Sequence, residues 1–212
     1  MEDDYLRALK ANKKNSEEYY RKSFVKTEQQ KFLETLLKKE GRNFVNVADV
    51  ACGGGALSYH LSEIYPSAKF TLVEYNDDAM DIARQNLKGN NFSFKMDSIY
   101  ELKTLEVNSF DLVCCWQTLS WIDDPELALK KLIQITKPGG KLYLSSLFNV
   151  NFDVDIYAKV IDHSRPSGKE NIPFSYNTYS QLSVGKWLNG LVKDFKIHEF
   201  VPGIDFNYTG RG

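Results

Sequence analysis

Short runs rich in apolar residues alternate along this chain with segments in which apolar positions recur at helical spacing. These runs lie near residues 46–51, 70–74, 92–96, 110–116 and 141–148 and are predicted to be strands. The run at 110–116 is nearly continuous in apolar character, as expected of a parallel strand buried on both faces. Strands that alternate with helices predict an α/β fold with a doubly wound, mostly parallel sheet.

Helices are predicted between these runs, and their ends carry sequence signals. Residues 32–37 and 56–65 show helical spacing of apolar positions. Asp124-Pro125 predicts a helix start, because Asp caps free N–H groups and Pro suits the first turn. A later helix is predicted near 178–192, and a sixth strand follows at 195–201.

Composition narrows the class of protein. The chain has 212 residues, of which 42% are apolar and 26% charged, values typical of one globular domain. A net charge of −1 argues against a nucleic-acid partner. No apolar run reaches the length of a membrane span or a signal peptide, so no membrane partner is expected. Three cysteines without a CxxC pair indicate reduced thiols and a cytoplasmic protein.

Three consecutive glycines, Gly53 to Gly55, follow the first predicted strand and precede a helix. Glycines at such a turn let backbone approach a ligand and leave helix N–H groups pointing outward, which suits a nucleotide or nucleoside. A dinucleotide site would require the spacing GxGxxG, and Ser58 stands where its third glycine belongs. The other pattern is D-x-x-C-G-x-G, which begins here at Asp49 and requires no pyrophosphate.

Residues 46–148 resemble class I S-adenosylmethionine-dependent methyltransferases. The first motif of that family is matched by Asp49, Cys52, Gly53 and Gly55, with Ala51 where a glycine is usual. Acidic residues at the expected places, a fourth-strand motif and a Pro-Gly-Gly motif before the fifth strand add to the match. The matching segments are Glu74, Asp97-Ser98, 110–113 and 137–142.

The resemblance implies a Rossmann-like, seven-stranded sheet whose seventh strand is short, at 204–208, or truncated. It implies one methyltransferase domain over 1–212, with an N-terminal helical lid at 1–40 and an insert at about 149–180. The cofactor would be S-adenosyl-L-methionine, and the product S-adenosyl-L-homocysteine. Glu74 would accept hydrogen bonds from both ribose hydroxyls.

Asp97 would accept a hydrogen bond from the adenine amino group. The full set of predicted cofactor-binding residues is Asp49, Ala51, Cys52, Gly53, Gly55, Glu74, Tyr75, Asp97, Ser98 and Trp116.

The methyl acceptor is expected over the ends of strands four and five. Three residues are candidates for orienting or deprotonating the acceptor: Tyr20, Gln117 and His163. Candidates for binding it are Arg21, Thr118, Trp121, Arg165 and Tyr176. Each has a structural alternative, such as core packing for Trp121 and a surface loop position for His163. No His, Cys or Asp cluster has metal-ligand spacing, so no metal is expected.

The sequence therefore predicts a methyltransferase that acts at oxygen on a small polar acceptor, either neutral or anionic. The partner would be a small molecule or a glycan precursor, and the oligomeric state is open. A faint resemblance to methyltransferases of capsule-modification clusters would fit a phosphoramidate or sugar-linked acceptor and a role in capsule biosynthesis. The alternatives are N-methylation, an RNA or protein substrate, or a cofactor-binding interaction module without catalysis.

Overall fold

The computed structural model describes residues 24–161 and 172–201, together with Arg7, Tyr20 and Arg21. The helices are α1 Glu28–Glu40, α2 Ala56–Ile64, α3 Asp77–Asn86, α4 Pro125–Ile135 and α5 Gln181–Leu188. The longer strands are β1 Asn46–Val50, β2 Lys69–Glu74, β3 Phe92–Met96, β4 Phe110–Trp116 and β5 Thr136–Ser145. Four short strands follow: β6 Phe148–Asn149, β7 Lys159–Val160, β8 Phe174–Ser175 and β9 Tyr179–Ser180.

The five longer strands form one sheet in the order β3-β2-β1-β4-β5, and every neighbouring pair is parallel. The chain moves outward from β1 in one direction and then, from β4 on, in the other. This confirms the predicted α/β, doubly wound, Rossmann-like sheet. Ligands of such sheets bind at the carboxyl ends of the strands, where the strand order reverses, here between β1 and β4.

Two apolar layers, one on each face, bury the sheet. On one face α1, α2 and α3 pack on it through residues such as Leu33, Leu61 and Met80. On the other face α4 and α5 pack through residues such as Leu129 and Leu188. Because helices cover both faces, the central strands β1 and β4 need apolar side chains in both directions, which explains why nearly all of their residues are buried.

Short polar residues fix where the helices begin. Thr27 caps α1 in a capping box, accepting from the Gln30 N–H while its own N–H donates to Gln30 Oε1. Asp124 accepts from the Leu127 N–H at the start of α4, where Pro125 takes the first position. The predicted start at Asp124-Pro125 is therefore confirmed.

The C-terminal part of the chain departs from the prediction. Residues 195–201 form no strand, and none of them is buried. Phe200 instead lies beside Phe32 of α1, with ring centroids 5.8 Å apart, so this segment crosses a helix rather than pairing with β5. The predicted seventh strand, 204–208, lies outside the described residues. Seven strands are therefore not confirmed, and the described sheet has five.

The segment between β5 and α5, predicted as an insert, carries the short strands. β6 pairs with β9 in parallel, and β7 pairs with β8 antiparallel. The N-terminal lid at 1–40 is described chiefly as α1, which packs on the sheet. The division into a single domain with lid and insert stays a prediction.

The Asp111 carboxylate joins neighbouring segments at the amino ends of the strands, which we call the amino edge of the sheet. Its Oδ2 accepts from the N–H groups of Val45 and Asn46 at 3.3 and 2.8 Å, and its Oδ1 accepts from Lys137 Nζ at 2.9 Å. Burial opposes the charge, but these donors outweigh it and lower the pKa of Asp111.

No described helix is long and apolar enough to cross a membrane.

Candidate functional site

The carboxyl ends of the five parallel strands bring the candidate residues together along one edge. Glu74 ends β2 and pairs in register with Met96, so Asp97 follows directly beside it. Trp116 ends β4 in register with Ser145 of β5. Cofactor candidates therefore follow β1, β2 and β3, and acceptor candidates follow β4 and β5.

The glycine turn between β1 and α2 is tightly packed. Gly55 has φ +82°, and a Cβ there would lie 2.7 Å from Leu87 Cδ1, so this position excludes a side chain. A Cβ on Gly53 would lie 3.0 Å from the ring of Tyr20. Cys52 is half-buried, and its burial raises the pKa of the thiol, which makes it a packed thiol.

Asp49 is buried in the middle of the sheet beside this turn. Its Oδ2 accepts from Ser58 Oγ of α2 at 2.8 Å, and its Oδ1 is buried with no hydrogen-bond partner among the described residues. Burial raises the pKa of Asp49 to about 7, although the Ser58 hydrogen bond acts in the opposite direction. With 1% of its surface exposed, Asp49 supports the turn through Ser58, and its predicted contact with the cofactor stays a prediction.

Glu74 is held by the backbone of the same turn. Its Oε2 accepts from the Gly53 N–H at 2.8 Å, and its Oε1 accepts from the N–H groups of Tyr75 and Asn76 at 2.8 and 2.9 Å. Burial raises the pKa of Glu74 against these three donors. A carboxylate has about four acceptor positions. As placed, Glu74 has one left, so accepting from both ribose hydroxyls would require release of the Gly53 N–H.

Asp97 is buried and also nearly saturated. Its Oδ1 accepts from the Ser98 N–H at 2.8 Å, and its Oδ2 accepts from the N–H and Oγ1 of Thr104, both at 2.7 Å. One acceptor position remains on Oδ1, which fits a single donor such as an adenine amino group. Ser98 Oγ accepts from the Tyr100 N–H, so it shapes the loop.

Taken together, the turn fits the adenosine and methionine parts of the implied cofactor. The glycines leave no room for side chains, and Glu74 and Asp97 each retain an acceptor position. Tyr75 follows Glu74 at this edge and has 43% of its surface exposed. These roles stay predictions at the level of single residues.

Ala51 adopts a left-handed backbone, with φ +57°. In this region the Cβ of any L-residue clashes with the backbone, so even the methyl side chain of alanine strains the turn, and glycine would not.

Ala51→Gly is expected to raise the free energy of unfolding by about 0.5–1 kcal/mol, because relief of the left-handed strain exceeds the extra chain entropy of glycine. Chemical denaturation at equilibrium measures this change. Asn108→Gly is the control, since Asn108 has φ +53° and asparagine tolerates that region, so a smaller gain is expected there. A loss of stability in Ala51→Gly would contradict the strain.

Gln117, the first residue after β4, lies on the acceptor side and also has a left-handed backbone, with φ +54°. Its Nε2 donates to Gln29 Oε1 of α1 at 2.7 Å. Ser145 Oγ donates to the same Gln29 oxygen at 3.4 Å. Thr118 Oγ1 donates to the Trp116 carbonyl, which fixes the loop after β4 and leaves Thr118 in a supporting position.

Aromatic rings form a wall beyond this loop. The ring centroid of Trp121 lies 4.2 Å from that of Tyr176 and 5.7 Å from that of Phe174. Trp121 is half-buried and Tyr176 is 36% exposed, so the pair presents an apolar surface. Trp121 and Tyr176 were each predicted to bind the acceptor; the structure brings them together, and their role in binding stays a prediction.

Buried polar residues attach the segment after β5 to this loop. The Asn177 N–H donates to the Ser120 carbonyl at 2.8 Å, and Tyr179 Oη donates to the Leu119 carbonyl at 3.3 Å. Ser120 and Ser146 share a hydrogen bond of 2.7 Å between their hydroxyls. The wall is therefore held by a polar network that sequence reasoning missed.

Tyr20 is buried against the glycine turn. It clusters with Ala79 and Ile82 and its ring lies next to Gly53, so these contacts are on the cofactor side, and its predicted role toward the acceptor stays a prediction. Arg21 is exposed. His163 and Arg165 lie outside the described residues. Among the residues that the structure describes, no group of three or more His, Cys, Asp or Glu side chains could hold a metal ion.

Comparison with known proteins identifies the family. A family profile described as "Methyltransferase domain" matches residues 42–176. A ubiquinone biosynthesis O-methyltransferase from Coxiella burnetii is 31% identical over 132 residues, covering 61% of this chain and 53% of that protein. A protein of the same name from Xanthomonas axonopodis pv. citri is 32% identical over 103 residues, covering 48% and 42%. The chain spans about half the length of the curated relatives it matches.

Solved structures share the fold. The plantazolicin methyltransferase BamL, solved with a triazolic desmethylPZN analogue and SAH, aligns with a TM-score of 0.55 at 18% identity, covering 68% of this chain and 56% of that one. The [4+2]-cyclase SpnF aligns with a TM-score of 0.52 at 18% identity, covering 70% and 50%.

The profile covers more than half of the chain and includes the glycine turn, Glu74, Asp97 and the Pro-Gly-Gly motif. The predicted family and its cofactor, S-adenosylmethionine, are thereby confirmed, and the dinucleotide alternative is not supported. The chain belongs to the class I S-adenosylmethionine-dependent methyltransferases.

Proposed function

We propose that this protein transfers the methyl group of S-adenosylmethionine to an oxygen of a small polar acceptor. The observation that carries the proposal is the division of the sheet edge: Glu74 and Asp97 lie with the glycine turn on one side of the β1–β4 crevice, and Gln117 lies on the other. This is where ligands bind in doubly wound sheets.

The cofactor supplies a methyl group already activated on a sulfonium, so much of the protein's contribution is positioning. Glu74 and Asp97 would hold the adenosine, each through its remaining acceptor position. Gln117 would orient the acceptor beside the aromatic wall of Trp121 and Tyr176. Transfer to oxygen is supported by the relatives named O-methyltransferases, at about one-third identity.

The predictions about the charge of the acceptor, a general base, the biological role, the location and the partner stay predictions. An anionic acceptor would depend on Arg165 or Arg21, and a general base on His163, and neither Arg165 nor His163 is among the described residues. The relatives' name points to ubiquinone biosynthesis and gives no support to a capsule role. A cytoplasmic location and a small-molecule or glycan-precursor partner likewise await a test.

The test is transfer of labelled methyl from S-adenosylmethionine into fractionated cell extract, with two variants compared. Asp97→Asn weakens the remaining acceptor and is expected to raise the Kd for S-adenosylmethionine about tenfold or more, since hydrogen bonds to charged groups contribute ~1.5–3 kcal/mol. Thr104→Val is the matched control, because it removes the Thr104 Oγ1 bond but leaves the carboxylate.

Label in a small-molecule fraction, reduced in Asp97→Asn, would support the proposal. Label in RNA or protein would contradict the small acceptor. Binding of the cofactor without any transfer would favour the interaction module. Equal Kd values in Asp97→Asn and wild type would contradict the assigned role of Asp97.

A further inference from the structure

Two glutamines from distant parts of the sequence meet at the acceptor side of the site. Gln29 lies in the first turn of α1 and Gln117 directly follows β4, and their carboxamides are joined by the 2.7 Å hydrogen bond. We call Gln29 and Gln117 the carboxamide pair. Ser145 Oγ, at the end of β5, adds a second contact to Gln29 Oε1 at 3.4 Å.

Both backbones of the carboxamide pair are fixed. The capping box at Thr27 holds the first turn of α1, in which Gln29 lies. Gln117 is held in the left-handed region at φ +54°, a conformation that costs a non-glycine residue free energy and recurs at functional sites. Gln29 is half-buried and Gln117 is exposed, so the pair is ordered and yet open to a ligand.

The pair has hydrogen-bonding capacity left over. Among the described residues, Gln29 Nε2 donates to no partner and Gln117 Oε1 accepts from none. One unused NH₂ group and one unused carbonyl oxygen therefore lie on adjacent side chains. Exchanging O and N in both amides also leaves one NH₂ group and one carbonyl oxygen unused, so this conclusion does not depend on their assignment.

A hydroxyl group matches this arrangement, since it donates one hydrogen bond and accepts others. An anionic oxygen has no proton to donate, and a carboxamide pair offers it no positive charge. We propose that the carboxamide pair binds the acceptor's hydroxyl and selects a neutral hydroxyl over an anion, with Gln29 as a specificity-determining residue. The inference rests on the proposed function, whose acceptor class it narrows.

The first test measures binding, with defined probes and no turnover. The protein is saturated with S-adenosylhomocysteine and titrated with catechol, with anisole, which cannot donate a hydrogen bond, and with inorganic phosphate. The readout is the side-chain NH₂ signals of the carboxamide pair in ¹⁵N-resolved NMR, assigned by their loss in Gln29→Met and Gln117→Met.

Catechol is expected to shift both signals, and anisole and phosphate to leave them in place. Gln29→Met should weaken catechol binding about fivefold, the value of one ordinary hydrogen bond of ~1 kcal/mol. Gln85→Met, at an exposed position on α3, is the matched control and should bind catechol as wild type does. Circular dichroism of each variant checks that it is folded.

Phosphate shifting the pair, catechol shifting neither signal, or unchanged catechol affinity in Gln29→Met would each overturn the inference. A second measurement separates it from the proposed function. Where labelled methyl enters a small-molecule fraction, Gln29→Met should raise the apparent KM for that fraction about fivefold while the Kd for S-adenosylmethionine stays within twofold. Catechol bound by the pair with no methyl transferred to any fraction would contradict the proposed function and leave the inference intact.

Discussion

Replacing Gly55 by alanine is expected to lower the free energy of unfolding by about 2–4 kcal/mol. Two costs combine. The left-handed φ of +82° costs an L-residue ~1 kcal/mol. The new Cβ would also lie 2.7 Å from Leu87 Cδ1 and 3.1 Å from Leu72 Cδ2, and overpacking a core costs ~1–3 kcal/mol.

Gly41→Ala separates these two costs. Gly41 has φ +63° and nothing within 4 Å of a built Cβ, so its replacement should cost only the ~1 kcal/mol of strain. Equilibrium denaturation of both variants gives the difference. The double variant Gly55→Ala/Leu87→Ala should lose less free energy of unfolding than the sum of its single changes, since Leu87 Cδ1 is the atom that the new Cβ would clash with. Equal losses in Gly55→Ala and Gly41→Ala would show that the turn has room.

Asp49→Asn is expected to remove a large pH dependence of stability. The pKa of Asp49 is about 7 in the folded protein and 3.8 in its ordinary environment. Between these values the folded state holds a proton that the unfolded state has lost, so stability falls as pH rises through this window. At ~1.36 kcal/mol per pKa unit, the loss reaches up to about 4 kcal/mol above pH 7.

Denaturation of wild type and Asp49→Asn from pH 4 to pH 8 measures this effect, because the other carboxylates contribute equally to both proteins. The stability of Asp49→Asn relative to wild type should rise across the window. Ser58→Ala removes the hydrogen bond that lowers the pKa of Asp49, so in this variant the fall in stability should extend to a higher pH than in wild type. Parallel curves for wild type and Asp49→Asn would mean that Asp49 stays charged.

Local patterns were sufficient to predict most of the fold. β3 and β4 were predicted at the observed bounds, β4 from its nearly continuous apolar run, since a strand covered on both faces has no polar side. The helix start at Asp124-Pro125 was predictable because its capping residue adjoins it. β5 was predicted from Lys141, but it begins at Thr136, because the chain pairs with Phe110 before an irregularity and resumes at Leu112.

Predictions failed where long-range contacts decide the conformation. Apolar positions at 195–201 suggested a strand, but the segment packs Phe200 against α1. Nothing in the local sequence distinguishes packing on a helix from pairing with a strand. The Gln29–Gln117 bond spans 88 positions, so neither residue's neighbours indicate it. Ser58 was recorded as a departure from a glycine pattern, whereas its hydroxyl is the partner of Asp49.

The Asp111 contacts tie three strands together at the amino edge of the sheet, because one carboxylate of β4 binds the Asn46 N–H of β1 and Lys137 of β5. The Asn46 N–H, which is partly buried in this contact, is expected to exchange with solvent more slowly than the N–H groups of exposed loops. At the opposite edge, loops such as that at Gln117 exchange through small local openings of low free energy. Opening of those loops to admit a ligand therefore requires no separation of the strands at the amino edge.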